Sequence, residues 1–241
     1  MLALGGAQGR LGRKIGQELS KRGMPFLSWG RQEYEDIGIL SREIDSGLAL
    51  IIDVSLPEGT AQLVENLIKL KKPQLPKLII GTTGHNDALK NDFLKLSKLT
   101  PICVVSNFSL GVMLFEEMLN ARTSSGDTVS NLARRLGFDL ALWESHHALK
   151  KDAPSGTAKT LAIAAQIEEA HISSTRVGRV VGEHVLHMSA EGEELRVSHI
   201  AHSRSLFARG ATDLATAMMN SQVTQGNFKA QDFIFAGQYS E

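Results

Sequence analysis

Residues 144–158 read Glu-Ser-His-His-Ala-Leu-Lys-Lys-Asp-Ala-Pro-Ser-Gly-Thr-Ala and concentrate side chains able to move protons. His146 and His147 are adjacent, and an imidazole gains or loses a proton near neutral pH, which suits general acid–base work. Lys150 adds a positive charge and a proton to give. Ser155, Gly156 and Thr157 then open a helix. The first backbone N–H groups of a helix have no partner within it and can hold a carboxylate or phosphate. Together these residues describe a pocket in which a small anion undergoes proton transfer. They equally fit an exposed polar loop running into a capped helix, and both readings stay open at this stage.

The elements around that stretch belong to a chain of 241 residues, 42% hydrophobic and 22% charged. That length suits one large domain or two modest ones. Lys plus Arg (26) balances Asp plus Glu (26), so no excess positive charge attracts nucleic acid. No apolar run reaches the roughly 18 residues of a membrane span. Met1 to Leu4 runs straight into a glycine turn, which leaves no room for a signal peptide. A single cysteine, Cys103, rules out an intrachain disulfide and fits a reducing cytoplasm. Its apolar neighbours Ile102, Val104 and Val105 mark it as an inert buried thiol.

Strands and helices alternate through the first half. Leu2 to Leu4 is a short strand ending in Gly5-Gly6-Ala7-Gln8-Gly9-Arg10-Leu11-Gly12, and Leu11, Ile15 and Leu19 then recur at helical spacing. Gly6, Gly9 and Gly12 at a first strand-to-helix turn form a dinucleotide-loop variant, where glycine lets the backbone approach a pyrophosphate. A tight turn needed only for packing is the plainer reading. The next strand, 25–29, ends at Gly30-Arg31, with no acidic residue until Glu33. An arginine there can pair with a 2′-phosphate, which points to NADPH and leaves NADH open. Further strands are expected at 48–55, 77–80 and 101–105, and helices at 57–71, 87–99 and 110–122. The turns Gly81-Thr82-Thr83-Gly84 and Ser106-Asn107-Phe108-Ser109 end two of those strands, at the edge where parallel sheets bind ligands. The expected fold is α/β, a Rossmann-like doubly wound parallel sheet.

The second half changes pattern. A strand over 138–143 delivers the His-His-Lys stretch, and a helix is expected from Gly156 to about Ala170. Long strands at 179–189 and 194–205 suggest a second, α+β domain on a largely antiparallel sheet, followed by a helix over 211–219. His184/His187 and His199/His202 form two His-x-x-His pairs. Residues three apart on a strand point to opposite faces, so neither pair holds one ion, and no metal is expected.

The chain closely resembles the dihydrodipicolinate (4-hydroxy-tetrahydrodipicolinate) reductases. The likeness rests on Gly-Ala-Gln-Gly-Arg-Leu-Gly (6–12), Asp53 with Pro-Glu-Gly-Thr (57–60), Gly-Thr-Thr-Gly (81–84) and Asn-Phe-Ser-Leu-Gly-Val (107–112). It continues through the 144–158 stretch, Val-Gly-Glu-His (181–184), Arg204 and Phe-Ala-Arg-Gly-Ala (207–211). The resemblance implies NAD(P)H-dependent reduction of 4-hydroxy-tetrahydrodipicolinate to tetrahydrodipicolinate in diaminopimelate and lysine biosynthesis. It implies a cofactor, NADPH or NADH, lying along Gly6, Ala7, Gln8, Gly9, Arg10 and Leu11 with Arg31 near its ribose. Gly81, Thr82, Thr83, Val105, Ser106, Asn107 and Phe108 would line the nicotinamide end. His146 matches the family's proton donor and acceptor, and Lys150 its second proton donor. His147, Ser155, Gly156 and Thr157 match positions that bind the dicarboxylate substrate, with Arg204 close by. The implied dinucleotide-binding domain is 1–108 plus 208–241, and 109–207 would bind substrate and build a homotetramer. The chain departs from the family in a short segment between Ala170 and Thr175.

Two rivals remain at this point. One is another two-domain nicotinamide oxidoreductase, such as a semialdehyde or amino-acid dehydrogenase. The other is a nucleotide-sensing regulator that keeps the fold without chemistry.

Overall fold

A computed structural model describes residues 1–236. The chain divides into two compact units, one formed by residues 1–108 with the segment from 207 on, the other by 109–206. Residues 237–241, part of the expected dinucleotide-binding domain, lie outside the described residues.

The first unit is built on a six-stranded sheet ordered β10-β5-β4-β3-β1-β2, with every neighbouring pair parallel. Its strands are β1 (Leu2–Gly5), β2 (Phe26–Trp29), β3 (Leu50–Asp53), β4 (Lys77–Ile80), β5 (Pro101–Val104) and β10 (Gly226–Phe228). β1 and β3 are buried at every residue, as a sheet covered on both faces requires. Helices α1 (Arg10–Lys21), α2 (Arg31–Glu35), α3 (Ile37–Asp45), α4 (Pro57–Lys69) and α5 (Asp87–Leu96) connect them. α1 turns Ile15 and Leu19 inward with no exposed surface, and each such burial contributes about 1.5–3 kcal/mol. It stops at Gly23, whose φ of +66° suits glycine in the left-handed region. α4 opens on Pro57, where a missing N–H costs nothing.

The second unit holds a four-stranded sheet ordered β7-β6-β8-β9. β6 (Asp139–His146) lies parallel to β7 (Ile172–Arg176) and antiparallel to β8 (Gly182–Ala190), which pairs antiparallel with β9 (Glu193–Ala201). The sheet is therefore largely antiparallel, as expected. Helices α6 (Leu110–Asn120), α7 (Val129–Arg135) and α8 (Gly156–Ala164) complete the unit. Leu142 and Leu186 of the sheet share one buried cluster with Phe115 and Leu119 of α6 and with Leu161 of α8.

The chain then returns to the first unit through α9 (Ser205–Asn220), β10 and α10 (Ala230–Ile234). The ammonium of Lys77, at the start of β4, donates to the carbonyls of Met218 (2.8 Å) and Ser221 (2.7 Å) and so caps the end of α9.

Several boundaries differ from the sequence expectations. β6 runs to His146 rather than stopping at Trp143, so the histidine is a strand residue. α8 ends at Ala164, not near Ala170, because Gln166 takes a left-handed φ of 57° that breaks the helix. The segment after it supplies a 3-10 turn (Glu169–His171) and β7, which the polar run Ile-Ser-Ser-Thr-Arg did not announce. α9 begins at Ser205, six residues before the expected start, and β10 and α10 lie in the weakly patterned stretch beyond that helix, where no element was expected.

Candidate active site

The first unit presents its glycine turns at the C-terminal ends of the strands. Gly6 has a φ of +72°, and Gly9 N–H donates back to Gly6 O at 2.9 Å, closing the turn before α1. A Cβ on Gly12 would lie 2.1 Å from Gly6 O and 2.8 Å from the Ala7 Cα, so the helix packs on the turn only without one. The N-cap of α1 is Gly9, which has no side chain to satisfy the first N–H groups contributed by Arg10 and Leu11. An uncapped helix start behind a glycine turn fits a pyrophosphate.

The neighbouring turns are held by a buried carboxylate. Asp53, with no exposed surface, accepts from Tyr34 O–H (2.8 Å), Ser55 N–H (2.9 Å) and Thr60 O–H (2.6 Å). Thr60 and Thr82 hydroxyls lie 2.8 Å apart, and Thr82 contacts the His85 ring nitrogen at 2.8 Å. Burial, with the Asp53 charge beside it, pushes the Tyr34 phenol far above its usual range. Gly81 packs flat on Phe108, where a Cβ would come within 2.5 Å of the ring. Val105 is buried and donates to Ile80 O at 2.8 Å, while Thr83 and Ser106 are exposed. Gln8 is exposed and Ala7 buried in the first turn. Arg31 opens α2 with an exposed guanidinium 3.7 Å from Glu35. Glu33, the nearest acid to the end of β2 in sequence, accepts from Gly30 N–H at 2.8 Å and is spent holding that turn.

In the second unit the proton-moving residues gather around a residue that sequence reasoning passed over, Glu144. Its carboxylate has no exposed surface. Oε1 accepts from Arg176 Nη2 (2.7 Å), Ser174 O–H (2.8 Å) and the backbone N–H of Ser155 (3.0 Å). Oε2 lies 3.1 Å from His146 Nδ1 and 3.8 Å from His184 Nε2, ion-pair distances without hydrogen-bond alignment. Burial alone would raise the carboxyl's pKa, but contacts with His146, Ser155, Arg176 and Ser174 outweigh it and hold Glu144 well below the carboxylate range. His184 is pushed down to about 4, first by burial and then by the neighbouring His146, with Glu144 opposing.

Strand geometry explains the gathering. Glu144 pairs with His184, and His184 with His199, so the three share one row of the sheet. His146 is two residues beyond Glu144 and on the same face. The His146 and His184 ring centroids are 5.2 Å apart. Period-two alternation over Glu144 and His146 was the available signal, and ending the strand at Trp143 hid it. Arg176 and Ser174 had no such signal, because β7 was not expected.

The remaining predicted residues are placed by the turn that follows. Lys150 is half-buried, its ammonium donating to both Asp152 oxygens at 2.8 Å. His147 and Lys150 belong to one turn, where Lys150 N–H donates to His147 O at 3.0 Å. Ser155 caps α8, accepting from Ala158 N–H at 3.2 Å, and its hydroxyl lies 3.4 Å from His184 Nε2. The space where a Gly156 Cβ would stand is open and Thr157 is half-buried, so the helix start is accessible. Arg204 sits exposed between β9 and α9 and, among the described residues, makes no hydrogen bond or ion pair.

Glu144, His146 and His184 place possible metal-binding atoms within 4.8 Å of one another. The His-x-x-His pairs of the sequence are split: His184 is buried, while His187 pairs with Glu194 at 2.8 Å. A cation at the cluster would sit against the Arg176 guanidinium on the same carboxylate, which favours an ion-pair network over a metal centre.

Comparison with known proteins bears on the family and the fold. The family model for the N-terminus of dihydrodipicolinate reductase matches residues 1–108, and that for its C-terminus matches 111–234. The 4-hydroxy-tetrahydrodipicolinate reductase of Stenotrophomonas maltophilia (strain R551-3) is 37% identical over 186 residues, 76% of this chain and 71% of the relative. That of Campylobacter jejuni (serotype O:23/36, strain 81-176) is 31% identical over 95% of this chain and 96% of its own. A dipicolinate-bound dihydrodipicolinate reductase from Paenisporosarcina sp. TG-14 has the same fold, with a TM-score of 0.69 and 17% identity over 96% of this chain and 97% of that one. With both halves matched in order and relatives alike across most of its length, the chain belongs to the dihydrodipicolinate reductase family.

Proposed function

We propose a division of labour among residues of this chain within a reaction that its family sets. The protein is an NAD(P)H-dependent oxidoreductase that converts 4-hydroxy-tetrahydrodipicolinate to tetrahydrodipicolinate in the diaminopimelate and lysine pathway. The nicotinamide cofactor, when bound, supplies a hydride. Gly6, Ala7, Gln8, Gly9, Arg10 and Leu11 hold its pyrophosphate, and Gly81–Thr83 with Val105–Phe108 hold its nicotinamide end. The exposed Arg31, held only by a surface ion pair to Glu35 at 3.7 Å, can turn to a 2′-phosphate, while Glu33 is occupied at Gly30; that favours NADPH.

The observation carrying the assignment is His146, a buried imidazole held against Glu144, with the open start of α8 and Lys150 on the turn that follows. Gly156 and Thr157 N–H groups take one substrate carboxylate at the helix start, and His147 and Lys150 meet the other, with Arg204 close by. Lys150 gives a proton to the departing 4-hydroxyl, which leaves as water. His146 takes a proton from the neighbouring ring carbon as that bond opens, then returns it once hydride has reached the 4-carbon. The net change consumes one hydride and one proton and releases one water. Lys150→Ala and His146→Ala are expected to cut kcat by about 10²–10⁴-fold while NADPH titration gives an unchanged Kd. An equal loss of NADPH affinity would refute the assignment.

The sheet face opposite the helices carries Trp143, Val185, His187, Arg196 and the exposed Ile200. A flat face of this kind supports assembly, and a homotetramer is the proposed state. No helix among the described residues is long and apolar enough to cross a membrane. The unpaired Cys103 suits the cytoplasm, the proposed location.

A further inference from the structure

We propose that Glu144 is a positioning residue for the reaction: it fixes the His146 ring in one tautomer, with Nδ1 protonated and Nε2 offered to substrate. The inference rests on the assignment of His146 as the acid–base group.

Three donors fill Oε1 of Glu144, from Arg176, Ser174 and the Ser155 backbone, and among the described residues Oε2 faces two imidazoles. His184 is the more distant, and burial keeps it uncharged at working pH. The nearer of the two is His146 Nδ1, at an ion-pair distance of 3.1 Å. A carboxylate accepts and cannot donate, so its charge 3.1 Å from Nδ1 favours the tautomer with the hydrogen on that nitrogen. Nε2 is then the basic nitrogen. It lies beside Gly182, where a Cβ would come within 3.1 Å, so the absence of a side chain keeps that nitrogen uncrowded.

Arg176 serves the same end twice. It holds Glu144 ionised, and its Nη2 also donates to the carbonyl of Asp152, on the turn carrying Lys150. Glu144 meanwhile holds the N–H of Ser155, the cap of the helix that takes the substrate carboxylate. One buried charge thus sets the imidazole and the helix start in register. Orienting groups behind a catalytic histidine fix the tautomer in other systems, and their neutral amide variants lose most of the turnover.

The test uses the full-length protein. Glu144→Gln, which keeps the shape and removes the charge, is expected to lower kcat by roughly 10²-fold or more with the KM for NADPH unchanged. Glu144→Asp, charged but one methylene short, should recover part of that loss. Adding Glu144→Gln to His146→Ala should cost little further, because the ring it orients is already gone. Should Glu144→Gln fail to fold, ¹⁵N-histidine NMR of the wild-type protein decides: a neutral His146 with hydrogen on Nδ1 supports the proposal, and hydrogen on Nε2 overturns it. Normal kcat in a folded Glu144→Gln protein would also overturn it. Normal turnover in His146→Ala would instead sink the acid–base assignment, so the two failures are told apart.

Discussion

The buried His184 makes a prediction about acid stability that can be worked through. Its imidazole titrates at 6.5 in the unfolded chain and is pushed down to about 4 in the fold. Between those values the unfolded chain binds more protons than the native one, so stability rises with pH there and is lost as pH falls below 6.5. At about pH 5 the unfolded histidine is almost wholly protonated and the native one almost wholly neutral. The resulting penalty is about 2 kcal/mol relative to pH 7.5. Any native value at or below about 4 gives nearly the same figure, because the unfolded side sets the limit. The perturbation is His184→Gln, which removes the titration while keeping a polar group within reach of Ser155. The assay is urea unfolding at the two pH values, followed by the fluorescence of Trp143, which lies in the same sheet. Between the two pH values the wild-type protein should lose about 2 kcal/mol more than the variant, with equal m-values. His199 and His85, also lowered chiefly by burial, remain in both proteins and cancel. Equal pH dependence in the two proteins would refute the reasoning, since it would mean His184 charges in the fold as easily as in water.

Two further outcomes follow from close packing. Gly12→Ala drives a methyl group into Gly6 O and the Ala7 backbone; it should weaken NADPH binding by about tenfold or more and lower stability by about 1–3 kcal/mol, and an unchanged Kd in a fluorescence titration would count against the glycine turn as the pyrophosphate seat. Cys103 is fully buried, and burial raises its thiol to about 12; a thiol-reactive chromophore should label it only in denaturant, and stoichiometric labelling of the native protein within minutes would contradict its placement.

What the sequence disclosed and what it hid follow from range. The parallel strands β1, β3, β4 and β5 are short apolar runs closed by glycine or polar turns, a local pattern, and they fall where expected. The glycine turn before α1 and the helix start at Gly156 are equally local. Glu144 is different. Its importance comes from Arg176 and Ser174, thirty or so residues away, through a parallel pairing of β6 with a strand of mostly polar residues. Nothing in Ile-Ser-Ser-Thr-Arg marks it as a strand, because its side chains are mostly exposed or half-buried and its value lies in reach. β10 was hidden for a similar reason: three residues including Gly226 and Asn227 form an edge strand only because β5 offers a partner. The chemistry of the residue types picked out the histidines and the lysine, and the resemblance to a family gave them roles, but the carboxylate behind them emerged only from strand register.

The order of the six-stranded sheet has a consequence for biosynthesis. β5 pairs on its outer side with β10, yet the whole of the second unit is translated between them. A nascent chain on the ribosome therefore carries an unsealed sheet margin, with the apolar Ile102 and Cys103 beside it, for as long as residues 109–206 take to emerge. Such a margin invites pairing with stray chains. Rapid self-contained collapse of the inserted unit would bring the late-arriving seal within reach soonest. Substitutions that slow that collapse would thus be felt first as aggregation of the other half of the molecule.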